Sequence, residues 1–168
     1  EDKKAGESIS KAVLAAKADL GIIFDTDVDR AGAVDPNGRV INRNRLIALI
    51  SKILLLEFPG TTIVTDSTTS SGLAKFIAAN GGVHHRFKRG YKNVIDEGIR
   101  LNKEGHDCQL AIETSGHAAL KENYFLDDGA YLITKILITM ANMRDQGKDM
   151  FSLIASLEEP AEAEEFRL

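Results

Sequence analysis

Tryptophan is absent from these 168 residues, cysteine occurs once and proline three times. A lone thiol, Cys108, can form no internal disulfide, which excludes a disulfide-stapled scaffold and makes a reducing, cytoplasmic setting the expectation. Positive charge is not in excess either: 21 Lys and Arg stand against 25 Asp and Glu, a formal net charge of -4. Without a net positive field to hold a phosphate backbone, nucleic acid is not an expected partner. Long apolar runs are also missing. Ile53 to Leu56 and Ile136 to Ile138 fall far short of the roughly 20 residues that a membrane span needs, so no membrane partner is expected. No charged-then-apolar leader opens the chain. It starts on the charged run Glu1-Asp2-Lys3-Lys4 and finishes on an acidic stretch from Glu158-Glu159-Pro160 to Leu168, and both ends read as cut from something longer.

What is present is enough apolar material, 43%, for one ordinary core with a piece of a second unit attached. Ile9, Ala12, Val13 and Ala16 recur at helical spacing between Glu7 and Lys17, and Leu20 to Phe24 then reads as a buried strand. Ala31 to Val34 is a second short strand, closed by the turn Asp35-Pro36-Asn37-Gly38, where a unit boundary is expected. A helix over Asn44 to Glu57 stops before Pro59-Gly60, and a strand follows over Thr61 to Thr65. The cap-rich segment Asp66 to Ser71 opens a helix that ends at Asn80-Gly81-Gly82. Next come a strand over Val83 to Phe87, a helix over about Lys92 to Leu101, and strands over Gln109 to Glu113 and Leu120 to Phe125. A last long helix starts at the acidic pair Asp127-Asp128, suited to the positive end of a helix dipole. Strands alternating with helices predict an α/β fold with a layered, mixed but mostly parallel sheet and helices on both faces.

Three segments could carry chemistry. In Asp25-Thr26-Asp27-Val28-Asp29-Arg30, three carboxylates alternate just past a hydrophobic strand, and they repel one another unless a cation sits among them. A hard divalent ion suits that donor set, and the position outside the carboxyl end of a strand is where open α/β sheets place ligands. A solvated charge cluster is the competing reading. A calcium EF-hand loop is excluded, because Arg30 and Pro36 stand where that loop requires Gly and Glu. The haloacid-dehalogenase phosphatases, with two Asp spaced by one after a strand, remain an enzymatic alternative, although they usually place Thr or Val where Asp29 stands.

The second segment, Glu113-Thr114-Ser115-Gly116-His117, combines a carboxylate acceptor, a hydroxyl and an imidazole in one turn, a set able to bind vicinal sugar hydroxyls. As a serine-nucleophile elbow it fails on its glycine pattern, and an ordinary polar turn competes. The third, Lys88-Arg89-Gly90-Tyr91-Lys92 after His84-His85-Arg86, is a basic patch that could meet a phosphate or simply face solvent. His84 and His85 are adjacent, so on a strand they point to opposite faces and cannot share a metal. His106 and Cys108 read as loop residues without ligand partners.

In this order the segments resemble the α-D-phosphohexomutases, the phosphoglucomutase and phosphomannomutase family. Ala18 to Arg30 looks like that family's magnesium loop, Gly90-Tyr91-Lys92 like its Gly-x-Lys substrate element, and Glu113 to His117 like its sugar-binding loop. The loop variant most often seen has Gly where Thr26 and Val28 stand here, while the three Asp and the Arg are intact. By this resemblance, residues 1–38 are the end of the second domain, 39–157 the third domain and 158–168 a linker toward a fourth domain not contained here. No segment resembles the Thr-Ala-Ser-His loop that carries the phosphoserine.

The resemblance implies an isomerase working as an intramolecular phosphotransferase. A phosphoserine enzyme interconverts hexose 1-phosphate and hexose 6-phosphate through a bound bisphosphate, with glucose and mannose phosphates the first expectation. Asp25, Asp27 and Asp29 are implied as Mg²⁺ ligands, Arg30 as a donor near the transferred phosphoryl group, and Lys92, Glu113, Ser115 and His117 as substrate contacts. The partners implied are hexose phosphates and the family's first and fourth domains, and the isolated chain is expected to be inactive. A non-catalytic sugar-phosphate binding module is the alternative from another class.

Overall fold

The computed structural model describes residues 3–41 and 43–160. Helix α1 (Lys3–Ala16) leads into an antiparallel meander of β1 (Gly21–Phe24), β2 (Ala31–Val34) and β3 (Val40–Ile41), joined in that order. The turn expected at residues 35–38 is present: the Gly38 N–H donates to the Asp35 carbonyl, and the Asp35 carboxylate accepts from the Asn37 and Arg39 amides. Because β3 pairs with β2, the first sheet continues to Ile41, past the turn.

Helix α2 (Asn44–Glu57) crosses the middle of the molecule. Leu46 to Ser51 and Ile53 to Leu55 are all buried, a helix apolar almost all round because layers close over it from several sides. The second sheet has the order β5-β4-β6-β7, built from β4 (Thr62–Asp66), β5 (Val83–Phe87), β6 (Cys108–Ile112) and β7 (Ala118–Leu120). β4 runs parallel to β5 and β6, and β7 returns antiparallel to β6, so the sheet is mixed and mostly parallel as expected. The central strands β4 and β6 are buried along their whole length.

Helices α3 (Ser71–Ala79), α4 (Tyr91–Lys103) and α5 (Gly129–Asp145) complete the layers. Ile63, Leu110, Ile112 and Leu120 share one core with α2, α3 and α5, while Val64, Cys108 and Ala111 meet Val94 and Leu101 of α4. Cys108 and Ala111 belong to the same packing cluster despite odd spacing because the β4–β6 register slips between Thr62 and Ile63, skipping Gln109. Cys108 is therefore a buried strand residue and not the loop residue its neighbours suggested. Side-chain caps start α3 and α5: Ser70 accepts from the Leu73 N–H and Asp128 from the Tyr131 N–H.

One predicted element is absent. The strand expected over Leu120 to Phe125 stops at Leu120, and Lys121–Asn123 forms a 3-10 turn followed by left-handed Tyr124 and Phe125, each at φ 56°. The apolar residues serve two layers: Leu120 belongs to the sheet, while Phe125 folds under it onto the α4 core. No described helix is long and apolar enough to cross a membrane.

Candidate active site

The loops at the carboxyl ends of β4, β5 and β6 lie side by side, the place where open α/β sheets gather ligand-binding groups. Asp66 ends β4 almost fully buried. It accepts the Thr68 hydroxyl at 2.7 Å and the Thr114 hydroxyl at 2.8 Å, which fastens the 113–117 turn to the central strand. Glu113 lies just past the end of β6, and the turn is closed by its N–H donating to the His117 carbonyl at 2.9 Å. The Glu113 carboxylate is buried. Oε1 accepts the Gly90 N–H at 2.6 Å and Oε2 accepts the Ser115 hydroxyl at 3.0 Å. A carboxylate offers about four lone-pair sites, so capacity for ligand hydroxyls remains, but its present contacts also latch the 88–90 turn to the 113–117 turn. Ser115 is exposed at the turn's tip, and Lys92 is exposed in the first turn of α4, with no ion pair among the described residues.

Residues 25–30 form the hairpin loop between β1 and β2. Asp25, Asp27 and Asp29 each offer a carboxylate oxygen within 4.8 Å of the others. Asp27 is exposed, whereas Asp29 Oδ1 is buried without a hydrogen-bond partner, an acceptor that a cation would satisfy. Burial pushes Asp25 up, but hydrogen bonds from the Arg30 N–H and guanidinium, together with its charge, outweigh this and hold the group below its usual range. Asp29 is raised, by burial first and then by the charges of Asp25 and Asp27, against the pull of His117. Arg30 Nε donates to Asp25 Oδ2 at 2.7 Å and lies 3.8 Å from Asp29 Oδ1, acting as an internal counter-ion. A hard, oxygen-preferring divalent cation fits this donor set.

The Asp-rich 25–30 loop and the 113–117 turn meet directly. Arg30 and His117 form an antiparallel β-bridge, and His117 Nδ1 lies 3.7 Å from Asp29 Oδ2. On the other side the Gly129 N–H, at the start of α5, donates to the Val28 carbonyl at 3.1 Å. A Cβ at Gly129 would come within 2.8 Å of the Arg30 carbonyl carbon and 2.9 Å of the Val28 oxygen, so only glycine allows this approach.

The structure thus brings Asp25, Asp27, Asp29, Arg30, Glu113, Ser115 and His117 into one region, with Lys92 at its margin on α4. Four participants escaped sequence reasoning. Asp66 and Thr114 read as cap and turn residues, and Tyr91 as part of a basic patch; its ring stacks on His117 with centroids 4.7 Å apart. Asp127 read as a helix cap, but Asp128 caps α5 while Asp127 binds His117 Nδ1 at 2.7 Å. Two adjacent acids where a cap needs one were the available signal. Asp127 is raised, chiefly by burial, against the opposing pull of His117.

Comparison with known proteins bears on the family and the fold. Residues 42–160 match the family model described as phosphoglucomutase/phosphomannomutase, alpha/beta/alpha domain III. A phosphomannomutase/phosphoglucomutase of Pseudomonas aeruginosa is 32% identical over 145 residues, covering 86% of this chain and 30% of that protein. A phosphoglucosamine mutase of Fusobacterium nucleatum is 30% identical over 155 residues, covering 90% and 32%. The crystal structure of a phosphoglucomutase/phosphomannomutase family protein from Burkholderia thailandensis superposes with a TM-score of 0.77 at 29% identity, covering 93% of this chain and 32% of that one. The chain spans about a third of the length of the curated relatives it matches. With a family model covering most of the chain, the chain belongs to the phosphoglucomutase/phosphomannomutase family.

Proposed function

We propose that these residues supply the metal loop and the sugar loop of a phosphohexomutase that interconverts hexose 1-phosphates and hexose 6-phosphates through an enzyme phosphoserine. The observation that carries this reading is the junction of the two loops, the Arg30–His117 bridge, which sets three carboxylates beside a turn rich in hydroxyl-binding groups.

In this reading Asp25, Asp27 and Asp29 hold Mg²⁺, which when bound neutralises negative charge on the transferred phosphoryl group. Arg30 presents its remaining N–H donors near that group while Nε stays on Asp25. Glu113, Ser115 and the neighbouring turn bind sugar hydroxyls and not the phosphates. Such contacts tolerate a sugar whose two ends exchange places, as reorientation of a bisphosphate demands. Lys92 meets the substrate from the first turn of α4. The carrier serine comes from outside these residues, so the 168-residue chain alone turns over no hexose phosphate.

The test is titration of glucose 1,6-bisphosphate into the isotope-labelled chain. Amide signals of Lys92, Glu113, Ser115 and His117 are expected to shift at millimolar ligand or below, while those of His106 and Asp107, in a remote turn, stay in place. Absence of shifts at the sugar turn would sink the substrate reading.

A further inference from the structure

We propose that Asp127 is a positioning residue: it holds the His117 imidazole in one orientation and one tautomer, with the proton on Nδ1 and the lone pair on Nε2, where the metal loop joins the sugar loop. What that lone pair acts on rests on the mutase reading; its location does not.

The case is geometric. Asp127 Oδ2 lies 2.7 Å from His117 Nδ1, and its other oxygen accepts the buried Ala118 N–H at 3.1 Å, so the carboxylate is gripped from both sides. A backbone bridge between Ala119 and Asp127 fixes the acid further. His117 is held equally well. Its backbone bridges to Arg30, its carbonyl accepts the Glu113 N–H at 2.9 Å, and its ring stacks on Tyr91 at 21°. An ionised carboxylate only accepts hydrogen bonds, so the facing nitrogen must donate, and which ring nitrogen bears the proton is set by the bond the other makes. Asp29 Oδ2, at 3.7 Å from the same nitrogen, is too distant to compete. Nε2 of the neutral ring is then an acceptor. It can receive a hydroxyl proton but cannot donate to a phosphate oxygen, which directs the ring to the sugar rather than to its phosphates.

The substitution Asp127→Asn makes a sharp test because it keeps shape and exchanges one acceptor for a donor. The single amide oxygen goes to the Ala118 N–H, since a buried backbone donor left unpaired is the costlier loss. The amide NH₂ then faces Nδ1, which must accept, and the proton moves to Nε2. Nitrogen-15 NMR of the imidazole, recorded at about pH 9 where an ordinary ring is neutral, reads the tautomer directly. The native chain is expected to carry the proton on Nδ1 and Asp127→Asn on Nε2. A native ring protonated on Nε2, or on both nitrogens, overturns the proposal, and so does an Asp127→Asn chain that keeps the proton on Nδ1. Should that variant fail to fold, the native spectrum alone decides. Neither metal nor sugar is in the sample, so failure of the bisphosphate titration would count against the mutase reading and leave this result standing.

Discussion

Val28 holds φ at 65° in the middle of the acidic loop, a conformation that costs a β-branched residue about 1–3 kcal/mol. The loop variant that this segment resembles has Gly at this position, and the backbone offers a reason: the Val28 carbonyl turns to accept the Gly129 N–H. Val28 is 38% exposed, so removing its side chain forfeits only part of what a fully buried valine would contribute. Val28→Gly is therefore expected to raise stability by about 1 kcal/mol, the relieved strain being partly offset by the greater freedom of an unfolded glycine; urea unfolding checks it, and a loss of stability would show that the loop is not strained. His84 gives a second case. Burial, then the charges of Arg86 and His85, lower its pKa to about 4 from the usual 6.5, and Nε2 meets the Thr65 hydroxyl at 2.8 Å. The folded value lies below the unfolded one, so the unfolded chain takes up its proton first as pH falls. Stability from this residue is complete above about pH 6.5 and is lost between there and pH 4. At about 1.4 kcal/mol per unit, and discounted for partial exposure, the loss is about 2 kcal/mol. His84→Gln is expected to flatten the stability profile in that window relative to the native chain, whatever it does to absolute stability.

At the level of elements, α4 meets β6 and Phe125 closely at a glycine. A Cβ at Gly98 would lie 3.0 Å from Phe125 Cε1, 3.3 Å from Ala111 Cβ and 3.4 Å from Cys108 Sγ. Gly98→Val is expected to destabilise by about 1–3 kcal/mol through overpacking, while Gly98→Ala costs less because the gain in helix propensity offsets part of the crowding; thermal unfolding of the two variants reads the order. The same region shows where the sequence was legible. Helix α2 and strand β5 lie at the limits their periodicity and flanking turns predicted, because those signals are local. The Leu120–Phe125 strand failed because apolarity says that a residue is buried and not which layer buries it: Phe125 turns away from the sheet to fill the space that Gly98 leaves. Among site residues, the Asp-rich loop and the Glu113–His117 turn were visible as motifs. Asp66, Tyr91 and Asp127 were not, since their partners Thr114 and His117 are distant in sequence and only the fold supplies them.

For the whole molecule, two sheets of different topology are joined around one acidic loop, with α5 packed against both. Glu159 strengthens the join at another point, pairing with Arg39 beside β3 at 3.3 Å and with Arg45 of α2 at 2.7 Å. On the proposed reading, the affinity of the loop for a cation follows from this assembly more than from its motif. Mg²⁺ demands near-octahedral oxygen geometry and gives up water reluctantly. The loop offers three carboxylates, and one of them, Asp25, is already neutralised by Arg30. Mg²⁺ must therefore compete with an internal cation and finds no phosphate oxygen in this chain to complete its shell. Binding to the isolated chain is expected in the millimolar range, about 4 kcal/mol. Removing the competitor while keeping the length of its stem, Arg30→Met, frees Asp25 and removes a like charge a few ångströms from the ion. At the dielectric of a partly exposed site that is worth about 1 kcal/mol, roughly a fivefold gain in affinity. Asp25→Asn is expected to act in the opposite direction, because it deletes an anionic ligand. Calorimetric titration of Mg²⁺ into the three chains orders them as Arg30→Met tightest, native intermediate and Asp25→Asn weakest. Micromolar binding by the native chain would show the loop to be self-sufficient, and an Arg30→Met chain that binds more weakly than native would show that the arginine organises the carboxylates for the metal and does not stand in its place.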